Sequence, residues 1–186
     1  MKPPARILID NEVELHPLVE RDAPELFQLI EEGRSSLRTW LPWIDYTQSV
    51  EDERAFIRTV QQQSTEHKSY SFSIWYQGTI AGTIGYHLID WMNRKVEIGY
   101  WQGEAFQGKG IMTRACRSII QYAFNTLQLN KVEIRCATQN TRSCAIPLRL
   151  GFTYEGTIRQ AEWLYDHYVD LKLYGLLEHE WQQQEI

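Results

Sequence analysis

Six consecutive residues, Gln107, Gly108, Lys109, Gly110, Ile111 and Met112, join two glycines and a lysine to the start of an amphipathic run. A glycine loop that opens a helix presents unpaired backbone N–H groups and the positive end of the helix dipole, a combination suited to phosphate oxygens. Three kinds of phosphate site use such loops, and the neighbouring residues separate them. Gly103 to Gly110 nearly spells a P-loop, but Gly110 stands where a Ser or Thr hydroxyl must hold magnesium. A dinucleotide fingerprint requires a third glycine where Thr113 stands. A metal-free diphosphate cradle needs neither feature. The five histidines, His16, His67, His87, His167 and His179, lack zinc-ligand spacing, so no metal is expected.

The loop has to be held by the elements around it. Two short apolar runs, Arg6 to Ile9 and Val13 to Leu18, read as a hairpin or edge strands. Asp22 is a candidate N-cap for a helix carrying Leu26, Leu29 and Ile30 and ending near Gly33, and Ser49 similarly caps a helix through Val60. From Tyr70 the period becomes two: Tyr70 to Tyr76, a turn at Gln77-Gly78, Thr79 to Leu88, a polar break, then Val96 to Trp101. These short connections predict an antiparallel meander that delivers the chain to the glycine loop. The loop opens a helix from Ile111 to about Leu127. A strand from Lys131 to Thr138 follows, then a helix from Asn140 stopped by Gly151, and finally extended runs Phe152 to Ile158 and Tyr168 to Leu177. The Gln182-Gln183-Gln184 end reads as a polar tail.

Composition narrows the partners. The chain has 186 residues and 43% hydrophobic content, enough for one domain over residues 1–186 with its own core. A net charge of -5 without a basic run disfavours direct nucleic-acid binding. The start of the chain has no apolar leader and nothing approaches the length of a membrane span, which together predict a cytoplasmic protein. Cys116, Cys136 and Cys144 are odd in number and unpaired in spacing, as expected of reduced buried thiols.

The loop and its surroundings resemble the GNAT acetyltransferases. Their signature runs Gln or Arg, two residues, Gly, one residue, Gly or Ala; here Gln107 and Gly110 match and Met112 stands at the last position. Leu37 to Trp43, Val96 to Trp101, Asn140 to Ser143 leading to Leu150-Gly151-Phe152, and His167 to Trp181 are similar to the RimJ/RimL branch. That branch acetylates N-termini of ribosomal proteins. The resemblance implies an α+β fold, a mixed and mainly antiparallel sheet flanked by helices with a splayed strand pair at the cofactor. It implies acetyl-CoA as co-substrate, bound by the backbone of Ile98, Gly99 and Tyr100, by Gln107 to Met112, and by Asn140.

Acetyl transfer needs a neutral amine, a well-placed thioester, charge stabilisation and a proton for the leaving thiolate. Glu97 alternates with Val96 and Ile98, and serves either as a base facing a cleft or as a surface carboxylate paired with Lys95 or Arg94. Ser143 is implied by the resemblance as proton donor, against a plain capping role. Asn140 is either a cofactor contact or a cap. Many of these enzymes use a Tyr four residues before the Gly-Phe pair; Pro147 occupies that position. Cys144, near a helix start, would permit an acetyl-cysteine intermediate, but the resemblance implies direct transfer. Trp40 and Trp43 read as core anchors rather than pocket walls.

The expected acceptor is an N-terminal α-amine of a protein, in particular a ribosomal one. At pH 7.5 an α-amine with pKa about 7.8 is roughly one-third neutral, against about one part in a thousand for lysine. A small amine, an antibiotic or a peptide toxin is the alternative acceptor, and a CoA-binding regulatory module without turnover is the rival of another class. A homo-oligomer is compatible with the sequence and not required by it.

Overall fold

The computed structural model describes residues 6–184. The readings for Met1 to Ala5 lie outside them. Eight strands form one sheet: β1 (Ile7–Leu8), β2 (Val13–Pro17), β3 (Ser71–Tyr76), β4 (Thr79–Tyr86), β5 (Lys95–Gln102), β6 (Lys131–Ala137), β7 (Thr153–Leu164) and β8 (His167–Leu177). Five helices pack around it: α1 (Ala23–Arg38), α2 (Val50–Thr65), α3 (Ile111–Asn125), α4 (Thr141–Arg149) and α5 (Glu178–Gln184). The spatial order is β1-β2-β3-β4-β5-β6-β8-β7. Every neighbouring pair is antiparallel except β5 and β6, whose connection is the crossover through α3.

Strand alternation divides the sheet into two unlike faces. Phe72, Ile74, Ile84, Val96, Ile98, Val132 and Ile134 point to one side, where α3 covers them with Ala115, Cys116, Ile119, Ile120 and Ala123, all buried. Each fully buried Val or Ile there contributes about 1.5–3 kcal/mol. The opposite face, under α1 and α2, carries small and polar residues at the register-matched positions Ser71, Gly85 and Gly99. A Cβ on Gly99 would run into the His87 ring. The floor on this side is therefore low, and it leaves room beneath the helices.

Three elements, α1 at both its ends, β7 and α5, differ from the sequence reading. α1 does not end near Gly33: its spacing continues to the buried Leu37, which packs with Ile30 and Ile44. Burial there outweighs the roughly 1 kcal/mol that glycine costs inside a helix. Asp22 sits at the start of α1 without capping it; its Oδ2 accepts from Val19 N–H at 3.3 Å and from the Ser73 hydroxyl at 3.1 Å. β7 runs past Ile158 to Leu164 through a bulge, because β8 supplies a partner along its length. The polar tail is the short helix α5, anchored by the buried Trp181 against Phe124 and Arg117. As expected, Ser49 caps α2, accepting from Asp52 N–H at 3.2 Å.

Candidate active site

β5 and β6 pair in register only at Lys95, Val96 and Glu97, with Lys131, Val132 and Glu133 opposite; beyond that they diverge, although both strands continue. The β6 side of Ile98 and Tyr100 thus has unused backbone groups, which a ligand entering the gap would satisfy, whereas Gly99 between them is in phase with the His87 N–H to Glu97 carbonyl bond and turns its own groups to β4. At the top of β5 the chain passes Glu104–Phe106 and reaches the glycine loop. Gly108 (φ 76°) and Gly110 (φ 70°) are left-handed, and Gly110 is the residue that opens α3. Nothing lies within 4 Å of a Cβ built on either, so the cradle is open. Met112, the departure from the family signature, buries its side chain in the core and leaves the loop unobstructed. Ile111 is buried likewise. Arg142 donates to Gln107 Oε1 at 2.6 Å, and Lys109 lies over Tyr76 and Phe106 at 5.4 and 5.6 Å, bringing cations to the loop.

Ser143 stands across the gap in the first turn of α4. It does not cap that helix. Asn140 does, its Oδ1 accepting from Ser143 N–H at 3.1 Å. The Ser143 hydroxyl lies 3.2 Å from the Tyr100 hydroxyl, which also donates to the Ser143 carbonyl at 3.3 Å. Proline explains the second bond: Pro147 has no N–H for the carbonyl four residues before it, so Ser143 O is left for Tyr100. Burial holds the Tyr100 phenol well above its usual range, so it stays a donor. Position 147, closed to a tyrosine from α4, is complemented by a tyrosine from β5.

Two cavities meet at this point. One, about 1050 Å³, includes Gln107, Gly108, Gly110 and Arg142; the other, about 690 Å³, lies beneath α2 and the segment from Trp40 to Trp43. They share Trp40, Leu41, Tyr100, Trp101, Asn140 and Ser143. Trp40 and Trp43, read from sequence as core anchors, line the smaller cavity; Trp43 also packs on Trp101 at 6.0 Å.

Three glutamates line that smaller cavity. Glu97 pairs with Arg135 at 3.3 Å and His87 at 3.5 Å, whereas the expected partners are occupied elsewhere, Lys95 with Glu133 and Arg94 with the Gln128 carbonyl. Glu162, which sequence reasoning missed, is half-buried and has no hydrogen-bonding or ion-pair partner among the described residues. Burial, and then the Glu97 charge, raise its pKa. It follows the bulge between Ile158 and Glu162, where Gln160 adopts φ 48° and its N–H binds Asp170. The third is Glu53 on α2, whose pKa burial alone raises to about 7.

Cys144 turns inward, donating its thiol to the Ala137 carbonyl at 3.6 Å. Burial pushes the Cys136 thiol up to about 12 and Cys116 higher still, and all three cysteines are reduced. No group of three or more His, Cys, Asp and Glu among the described residues is arranged to hold a metal. No described helix is long and apolar enough to cross a membrane.

A family model for the acetyltransferase (GNAT) domain matches residues 12–153. The chain is 36% identical over 175 residues to the putative ribosomal N-acetyltransferase YdaF of Bacillus subtilis, spanning 94% of this chain and 96% of that protein. It is 35% identical to the ribosomal-protein-serine acetyltransferase of Escherichia coli, covering 91% and 94%. Among solved structures, the microcin C7 self-immunity acetyltransferase MccE with acetyl-CoA and AMP superposes with a TM-score of 0.90 at 31% identity, over 94% and 97% of the chains. RimL, the ribosomal L7/L12 α-N-protein acetyltransferase, in complex with coenzyme A, superposes at 0.88 with 29% identity, over 92% and 97%.

Proposed function

This chain belongs to the GNAT acetyltransferase family and is an acetyl-CoA-dependent N-acetyltransferase, and we propose that its acceptor is the N-terminal α-amine of a protein, in particular a ribosomal protein. The reading rests on one observation above the others. A phosphate-cradle cavity and an acid-lined, aromatic-walled cavity meet at the Tyr100–Ser143 contact. We read residues 1–186 as one catalytic domain working in the cytoplasm.

Acetyl-CoA, when bound, supplies an acetyl group activated as a thioester. Gly108, Lys109, Gly110, Ile111 and Met112 offer backbone N–H groups to its diphosphate, with the α3 dipole behind them, while Gln107, whose N–H is bonded to the Glu104 carbonyl, ties Arg142 to the loop through its side chain. Ile98 and Tyr100 offer unused strand edge to its pantetheine arm, and Gly99 between them holds that edge to β4. Asn140 holds the first turn of α4 and so fixes Ser143. Ser143, its hydroxyl held 3.2 Å from the Tyr100 hydroxyl, is placed to give its proton to the departing sulfur. Glu97 is engaged by Arg135 and His87, while Glu162 makes no such contact and burial raises its pKa, which makes it the better proton acceptor. We therefore assign Glu162 the proton of the attacking ammonium. Glu97 then positions Arg135 and sustains the field on Glu162.

A small-amine acceptor is the second reading. A spermidine N(1)-acetyltransferase of Escherichia coli is 28% identical over 80% of this chain, and the MccE fold match supports it as well. Thiol release with N-terminal peptides and a small-amine panel tests both readings. Peptide turnover supports the first, turnover of small amines alone the second, and saturable acetyl-CoA binding without any turnover the regulatory module.

A further inference from the structure

Among the described residues, Glu53 is the one carboxylate lining the smaller cavity that the reaction, as derived above, leaves without work and that also lacks a partner. It lies on the α2 stripe Glu53, Phe56, Val60 and Gln63, whose spacing turns one helix face toward the cavity. Helix positions of this kind normally carry apolar side chains; Ile57 on the neighbouring stripe is fully buried. The Glu53 residue is 3% exposed, yet its carboxylate has no hydrogen bond or ion pair among the described residues. The other charged groups of the cavity are committed or differently placed. Asp52 accepts from Ser49 and Gln48 at the start of α2, Glu97 holds Arg135 and His87, and Glu162 faces Glu97. Its carboxylate oxygens, without a protein partner, are not sealed in the core but open to the cavity, so the charge is left for a ligand there to meet.

Resting on the acceptor-site reading above, we propose that Glu53 is a specificity residue that receives an alkylammonium group carried by the acceptor, distinct from the amine that is acetylated. Only a cation or a strong donor satisfies a carboxylate so placed, and the cavity lining favours the cation. Glu53, Glu97, Glu162 and Asp52 stand against Arg135 and the imidazole of His87. Aromatic walls at Trp43 and Phe56 complement the methylene stem of such a group. The chemistry comes from one of two sources: a lysine side chain close behind a peptide N-terminus, or the second amine of a small polyamine.

The test is a binding titration in the presence of coenzyme A, which does not depend on turnover. The probes are an N-terminal tetrapeptide of serine and alanine, the same peptide with lysine at its second, third or fourth position, and 1,4-diaminobutane. Wild type is expected to prefer a lysine peptide, or the diamine, over the neutral peptide by about tenfold, as for a charge-assisted hydrogen bond in a closed site. In Glu53→Gln that ratio falls to near one. A lysine-peptide preference assigns the peptide source and a preference for the diamine alone assigns the polyamine source. Equal binding of charged and neutral probes by wild type overturns the proposal, as does a preference that survives Glu53→Gln. Thermal melting confirms the fold of the variant, with Glu53→Leu as a second removal of the charge. Thiol release run in parallel reports on acetyl transfer alone, so a failure there leaves the Glu53 result standing.

Discussion

Replacing Glu53 by glutamine removes a carboxylate that burial holds protonated up to about pH 7, against an ordinary value of 4.5. The folded state binds this proton more tightly than the unfolded chain does. Its contribution to stability is therefore complete below about pH 4.5 and is lost as pH rises through 7. At 1.36 kcal/mol per unit, the displacement corresponds to about 3 kcal/mol. No hydrogen bond or ion pair with another described residue opposes it; of the charged groups that share the cavity, Asp52, Glu97, Arg135 and His87 make their contacts elsewhere, and Glu162 faces Glu97. Urea unfolding of wild type and Glu53→Gln between pH 4.5 and 8.5 isolates the effect, since every other titration is common to both proteins. The variant is expected to gain on wild type by about 3 kcal/mol across that interval, most of it between pH 5 and 7.5. A stability difference that is flat with pH refutes the buried-carboxylate reasoning. A difference that shrinks as pH rises reverses its sign and refutes it as well.

Gly110→Asp sets a negative charge at the cradle, and Gly110→Asn sets a similar side chain there without the charge, both in a left-handed position that Asn and Asp tolerate best. Calorimetry should show a large loss of CoA affinity for Asp and a smaller one for Asn; equal affinities would remove the diphosphate from this loop. Ser143→Ala should lower turnover by about 10²-fold or more with little change in acetyl-CoA binding, the magnitude typical of a positioned proton donor. Asn140→Ala, by contrast, should cost about 1 kcal/mol of stability through the lost cap, read by urea unfolding. Trp181→Ala should destabilise by about 3–5 kcal/mol, measured in the same way, because α5 docks chiefly through that ring.

The loop and the strand feeding it were legible because their signals are local. Two glycines at a helix start and a period-two run need no tertiary information, and both lie where the sequence places them. The Tyr100–Ser143 contact was not legible, because it joins β5 to α4 across 43 positions; in hindsight Pro147 was the signal, since a proline there frees the Ser143 carbonyl. Glu162 lay beyond the expected end of its strand, and only the bulge around Gln160 turns it toward the cavity. Trp40 and Trp43 carry the same apolar surface whether they face a core or a cleft, so type and spacing do not separate the two. The α5 helix was hidden by its glutamines. Its single anchor, Trp181, takes effect only once Phe124 and Arg117 are in place.

The central claim is transfer to an α-amine. Its most direct test is incubation with acetyl-CoA and a peptide carrying both a free N-terminus and an internal lysine, followed by fragmentation mass spectrometry. Neutralising lysine near pH 7.5 costs about 4 kcal/mol, against well under 1 kcal/mol for the α-amine. The acetyl group is expected on the N-terminal nitrogen, and a matched peptide with a blocked N-terminus should remain unmodified. Acetyl found on lysine, or no peptide product beside rapid acetylation of small amines, contradicts the account.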